Sequence, residues 1–115
     1  MSTDCLFCGI VARTVPATVV HETDTVLAFA DIDPQAPSHL LVIPKEHYPD
    51  AATMAAADPR LAGEVLAAAA EAAKAAAIDS TGYRLVFNTG ADANQTVFHA
   101  HCHVLGGRRM SWPPG

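Results

Sequence analysis

Asn94-Gln95-Thr96-Val97-Phe98-His99-Ala100-His101-Cys102-His103-Val104-Leu105-Gly106-Gly107-Arg108 is the stretch that decides the fold. Its histidines, His99, His101 and His103, alternate with Ala100, Cys102 and Val104. In an extended strand successive side chains point to opposite faces. The imidazoles then share one face, each about 7 Å along from the last, and the small apolar residues turn into a core. A helix would scatter the same histidines around its surface. A strand is therefore expected here, ended by Gly106-Gly107.

The flanking sequence supplies its partners. Residues 83–88 are strand-like and reach the histidine stretch through a polar, glycine-containing loop. Ser38-His39 leads into Leu40-Leu41-Val42-Ile43, an apolar run closed by Pro44, which reads as a central strand buried on both faces. Residues 18–22 and 25–32, separated by Thr23-Asp24, read as a hairpin. Residues 50–57 form a short helix, and Asp58-Pro59 supplies an N-cap and a first-turn proline for a long alanine-rich helix to Ala77. Leu61, Val65 and Leu66 mark its apolar face. Its many alanines permit close packing against another element or a second subunit. Residues 6–13 make a further short helix. The pattern predicts one α+β domain over residues 1–115. It is a five-stranded, mainly antiparallel sheet with one long and one or two short helices on one side, and residues 108–115 form an irregular tail.

With 115 residues, 50% of them hydrophobic, the chain holds one core. A net charge of −5 excludes the basic stripe of a nucleic-acid binder. An anionic ligand would have to be held by local dipoles and a few cations. No apolar run approaches the ~18 residues of a membrane span. Met1-Ser2-Thr3-Asp4 lacks the basic and apolar regions of a signal peptide, so a cytoplasmic location is expected. Three cysteines make a poor disulfide framework there.

Several groups carry possible chemistry. Cys5-Leu6-Phe7-Cys8 is either a metal half-site, completed by histidines from elsewhere, or two small apolar residues on a short helix. His47 is a loop histidine, exposed or a metal ligand. His39 is a satisfied buried histidine or part of the site. Asp31 could accept both hydroxyls of a ribose, although pattern alone favours turn capping. The alternating histidines could ligate a catalytic zinc. They could equally act at phosphorus, where one imidazole attacks and its neighbours hold oxygens and protonate a leaving group. Gln95 and Thr96 add neutral donors and no acidic residue lies in the cluster, which favours the second option.

His99-Ala-His101-Cys-His103-Val-Leu resembles the His-φ-His-φ-His-φ-φ signature of the histidine triad family, φ being apolar. The chain is most similar to the branch of histidine triad nucleotide-binding proteins, the purine nucleoside phosphoramidases. The likeness extends to Phe29-Ala-Asp31-Ile32, Gln35-Ala-Pro-Ser-His39, Val42-Ile-Pro-Lys45, Val104-Leu-Gly-Gly-Arg108 and Trp112-Pro-Pro-Gly115. It implies hydrolysis of nucleoside 5′-phosphoramidates and mixed nucleotide anhydrides, such as aminoacyl adenylates, through a nucleotidyl-histidine. His101 would be the nucleophile, His103 an α-phosphate contact, and the main chain of His99 the group that orients His101. Asn88, Asn94, Gln95 and Thr96 would lie at the phosphate and leaving group, Asp31 at the ribose, and Phe7, Ile10, Phe29 and Ile32 around a purine. His39 matches a further active-site histidine. The Cys5-x-x-Cys8 pair is similar to that of bacterial members, which implies one structural zinc on Cys5, Cys8, His47 and His99. A homodimer through the long helix and a shared sheet is also implied, with the tail near the partner's site. Asn94 departs from a common glycine, and Cys102 only fills a φ position. The alternatives are a dinucleoside polyphosphate hydrolase, a non-catalytic nucleotide- or partner-binding module, and a zinc hydrolase using the triad together.

Overall fold

The computed structural model describes residues 5–115, so the reading of Met1 to Asp4 lies outside the described residues. The chain runs α1 (Leu6–Val11), β1 (Val19–Glu22), β2 (Val26–Ala30), β3 (Ser38–Pro44), α2 (Ala51–Ala57), α3 (Pro59–Ala75), β4 (Tyr83–Val86) and β5 (Cys102–Gly106). The strands form one sheet in the order β1-β2-β3-β5-β4, antiparallel throughout. The apolar run of β3 is central, as its composition demands, with every residue after Ser38 buried.

Alternation divides the sheet into two apolar faces. Val26, Ala28, Leu40, Val42, Cys102 and Val104 pack against Leu61, Val65, Ala68, Ala69, Ala72 and Ala73 of α3. Burying a Val or Leu fully contributes about 1.5–3 kcal/mol. The alanines contribute less each but allow the helix to approach the sheet closely. Leu27, Phe29, Leu41 and Ile43 face the other way, against Phe7 and Ile10 of α1. The helices are therefore not all on one side, because residues of opposite parity on β2 and β3 are both apolar and each face needs a cover. Leu66 also departs from expectation. It is 48% exposed, since the buried stripe runs through Leu61, Val65 and the 68/69 and 72/73 alanine pairs, and Leu66 lies off it.

The ends of the elements have local causes. Asp58 caps α3 by accepting the Leu61 N–H at 3.1 Å, and Asp50 caps α2 through Thr53 at 2.8 Å. α3 stops at Ala75, short of the expected Ala77, which sits in the left-handed region at φ 59°. α1 stops at Val11, before Arg13 at φ 64°. β2 stops at Ala30, where Asp31 accepts the Asp33 N–H at 2.8 Å and turns the chain.

β5 begins at Cys102, not at His99. The next hydrogen-bonded pair in the β3–β5 register would set Ala100 against Pro44, which has no N–H to give. The Ala100 N–H instead goes to the Tyr48 carbonyl at 2.7 Å, and the Pro44 carbonyl is bonded to the His99 ring at 2.8 Å. Alternation nevertheless persists, with Ala100 buried in the α3-side core. The tail is tied to β4 where Arg84 donates to the Ser111 carbonyl at 3.0 Å. Trp112 is 81% exposed. Among the described residues no helix is long and apolar enough to cross a membrane.

Candidate active site

The face of the sheet opposite α3 floors a cavity of about 660 Å³. Phe29 of β2, Leu41 of β3, and His103 and Leu105 of β5 rise from the floor, and Phe7 and Ile10 of α1 form one wall. Asp31 and Ile32 stand where the chain leaves β2, and Asn88, Asn94 and Thr96 come from the opposite edge. The expected base pocket, ribose carboxylate and polar loop thus converge on one space. Ile32 forms its outer rim and is 95% exposed. Asn94 takes φ 61°, a left-handed conformation that asparagine tolerates better than most residues, so its place where glycine is common costs little.

Gln95 is placed differently. Its side-chain oxygen accepts the Gly90 N–H at 2.9 Å, and its amide donates to the carbonyls of Pro49 at 2.7 Å and Val97 at 3.1 Å. Both ends are committed and the residue is buried. The expected phosphate contact gives way to bracing of the loop that carries Thr96. Two cavity residues not singled out from sequence, Leu41 and Leu105, had a signal there. Leu105 follows His103 at the same two-residue spacing, and Leu41 lies across the ladder from His103.

His101 is buried, and its Nδ1 donates to the His99 carbonyl at 2.7 Å. That fixes the proton on Nδ1 and leaves a lone pair on Nε2. The Phe7 ring meets it edge-on, with centroids 5.1 Å apart. His103 packs beside it at 4.9 Å between centroids. Burial above all, then the neighbouring rings of His101 and His39, push His103 down to about 4, so it is neutral near pH 7. Burial also lowers His39, against the opposing pull of Asp31. Cys102 lies in the α3-side core, and burial pushes its thiol up to about 12, which makes it inert.

His99 faces away from the cavity into a second cluster. Cys5 Sγ lies 3.4 Å from His99 Nδ1, Cys8 Sγ lies 3.3 Å from His47 Nδ1 and 3.6 Å from His99 Nδ1, and the two Nδ1 atoms are 3.2 Å apart. A tetrahedral ion with ordinary metal–sulfur and metal–nitrogen bonds sets sulfur–nitrogen edges of about 3.6 Å and nitrogen–nitrogen edges of about 3.3 Å. The donor set fits a metal ion. His99 Nε2 donates to the Pro44 carbonyl, which frees Nδ1 as a ligand and holds the ring. Without an ion, burial and then the Cys5 thiol push Cys8 up to about 11, a cost that a dication would reverse. Four donors fill a tetrahedron and leave no open position for water, so the arrangement is that of a structural site.

Fold and cavity together define a small α+β domain whose sheet presents paired histidines to a ligand. The family model for the HIT domain matches residues 12–110. A HIT-like protein of Synechocystis sp. is 47% identical over 115 residues, the whole of both chains. A HIT family hydrolase from Legionella pneumophila is 48% identical, covers 97% of this chain and all of its own, and superposes with a TM-score of 0.92. One from Clostridium thermocellum is 40% identical over 96% of each chain, also at 0.92. The chain belongs to the HIT family.

Proposed function

We propose that the chain hydrolyses nucleoside 5′-phosphoramidates and mixed nucleotide anhydrides, through a nucleotidyl intermediate on His101. The observation that supports it most directly is the 2.7 Å bond from His101 Nδ1 to the His99 carbonyl, which leaves Nε2 unprotonated at the cavity. A purine lies among Phe7, Ile10, Phe29 and Ile32, and its ribose hydroxyls bond to Asp31. His101 Nε2 attacks the α-phosphorus as the bond to the leaving group breaks; an amine leaves with a proton taken up from solvent, and the carboxylate of a mixed anhydride leaves as the anion. Water then cleaves the phosphorus–nitrogen bond to His101. Thr96, Asn88 and Asn94 supply polar groups around the phosphate, and His103 holds a non-bridging oxygen. One zinc ion on Cys5, Cys8, His47 and His99 plays a structural part. The working form is a cytoplasmic homodimer joined through the long helix and a shared sheet, which gives Trp112 a partner surface.

Turnover of an adenosine phosphoramidate compared with diadenosine triphosphate tests the reading. The phosphoramidate should be the better substrate, and preference for the dinucleotide would transfer the chain to the polyphosphate hydrolases. Binding of both without turnover would make it a nucleotide-binding module.

Asp31 carries a second prediction. A carboxylate accepting both ribose hydroxyls should discriminate against 2′-deoxy substrates by about 1.5–3 kcal/mol. The Asp31→Ala variant should lose most of that difference, whatever its overall rate. Equal kcat/KM for ribo and deoxyribo substrates in the wild type would remove Asp31 from the ribose.

A further inference from the structure

His39 and His103 project from neighbouring strands onto the cavity face, where His39 pairs with Leu105 and Leu41 with His103. His39 Nε2 lies 2.9 Å from His103 Nδ1 and 3.3 Å from Asp31 Oδ2. Three such atoms this close admit two readings, a second metal site or a chain of hydrogen bonds. The far side of His39 decides between them. The backbone N–H of Gln35 points at His39 Nδ1 from 3.0 Å. A peptide N–H can only donate, so Nδ1 holds the lone pair and the ring proton sits on Nε2. A protonated Nε2 cannot ligate a metal. It donates, and the nearest acceptor is His103 Nδ1. The proton of neutral His103 must then be on its own Nε2.

His101 has the opposite arrangement, with its proton on Nδ1 and a bare Nε2. Two adjacent rings, their centroids 4.9 Å apart, are thus held in opposite tautomers by different main-chain groups, the His99 carbonyl for one and the Gln35 N–H, relayed through His39, for the other. We infer that His39 is a positioning residue that fixes His103 in its Nε2–H tautomer, so that a neutral hydrogen-bond donor stands beside the lone pair of His101.

The pairing is what attack at phosphorus needs. The nucleophile requires a lone pair, and the non-bridging oxygen, which gains charge as the attack proceeds, requires a donor already in place. In the other tautomer His103 would turn a lone pair toward that anionic oxygen. Burial supports the neutral form, pushing His103 down to about 4. Asp31 joins the same chain: Oδ2 takes the longer approach to His39, while Oδ1 is held by the Asp33 N–H at 2.8 Å.

What the donor does rests on the phosphoryl-transfer reading, but the tautomer itself does not, and it is measured without substrate. Protein labelled with ¹⁵N-histidine gives long-range ¹⁵N–¹H correlations that distinguish the two nitrogens, with His103 assigned by its loss in His103→Asn. At neutral pH the wild type should show His103 protonated on Nε2 and His101 on Nδ1. His39→Leu should leave His103 averaged between tautomers and lower kcat on the order of tenfold to a hundredfold, the usual cost of losing a ring-orienting partner, with KM little changed. His39→Gln, whose amide can donate to His103 Nδ1, should restore the tautomer and part of kcat. His103 protonated on Nδ1, or as imidazolium, in the wild type would overturn the inference even if His39→Leu fails to fold. So would a His39→Leu protein with an unchanged spectrum and kcat. The predicted tautomers in a protein that turns over no nucleotide would leave the inference standing and sink the phosphoryl-transfer reading instead.

Discussion

His101→Ala should lower kcat for a nucleoside phosphoramidate by at least ~10³-fold, because it removes the attacking atom and leaves the pocket. Phe7 and Phe29 still meet edge-on, with centroids 5.5 Å apart, and Asp31 is untouched, so nucleoside binding should survive within a few-fold. The Cys5, Cys8, His47 and His99 cluster lies beyond Phe7 on the same face of the sheet and should keep its metal, which makes metal content and melting temperature the controls for folding. In the wild type, rapid quench in alkaline denaturant should trap nucleotide bound to His101, through a bond that later acid treatment cleaves. Near-wild-type turnover in the variant would end the nucleophile assignment, and an adduct on another residue would move it.

Cys8→Ser should remove the metal and with it a large share of stability. Free energy of binding at a closed structural site appears as free energy of folding. In a domain of this size each kcal/mol lost lowers the melting temperature by roughly 5 °C, and a drop of more than that is expected. Phe7 lies between the two cysteines and packs on Phe29, His99 and His101, so the loss should also raise KM through a loosened base pocket. Residual folded protein should keep substantial turnover. Zinc must displace the proton of a Cys8 thiol pushed up to about 11, so metal affinity should fall as pH falls. Elemental analysis of protein purified without chelator should find close to one zinc per chain, and none would refute the site. One zinc per chain with activity abolished by gentle chelation, the fold intact, would instead revive the zinc-hydrolase alternative.

Much of the architecture was legible because parity is a strong signal. The alternation from His99 to Val104 held through the site, and the unbroken apolar run of β3 announced a strand covered on both faces. Parity does not say which helix covers which face, and α1, with only Phe7 and Ile10 buried, was too short to reveal its side. Leu66 misled because a large apolar residue outweighs alanines in any reading of a helical stripe, whereas close packing against the sheet selected the alanines. At the site, the Cys5, Cys8, His47 and His99 set was visible only through family resemblance, since its members are far apart in sequence and meet through β3 and the loop after it. Gln95 was misread for a different reason. A polar residue beside a catalytic cluster suggests a ligand contact, and nothing in the sequence shows that Gly90, Pro49 and Val97 already claim its amide. His39 stayed ambiguous until the Gln35 N–H was seen to fix its ring.

The late start of β5 has a consequence for His101. β5 lies between β3 and β4, so within the ladder each of its carbonyls is spoken for by one neighbour or the other. The His99 carbonyl lies before Cys102, the first paired residue of β5, so it is free to hold the His101 ring. The unpaired margin of the sheet thus sets the orientation of the His101 ring, and any change that paired the His99 carbonyl would release that ring without touching it.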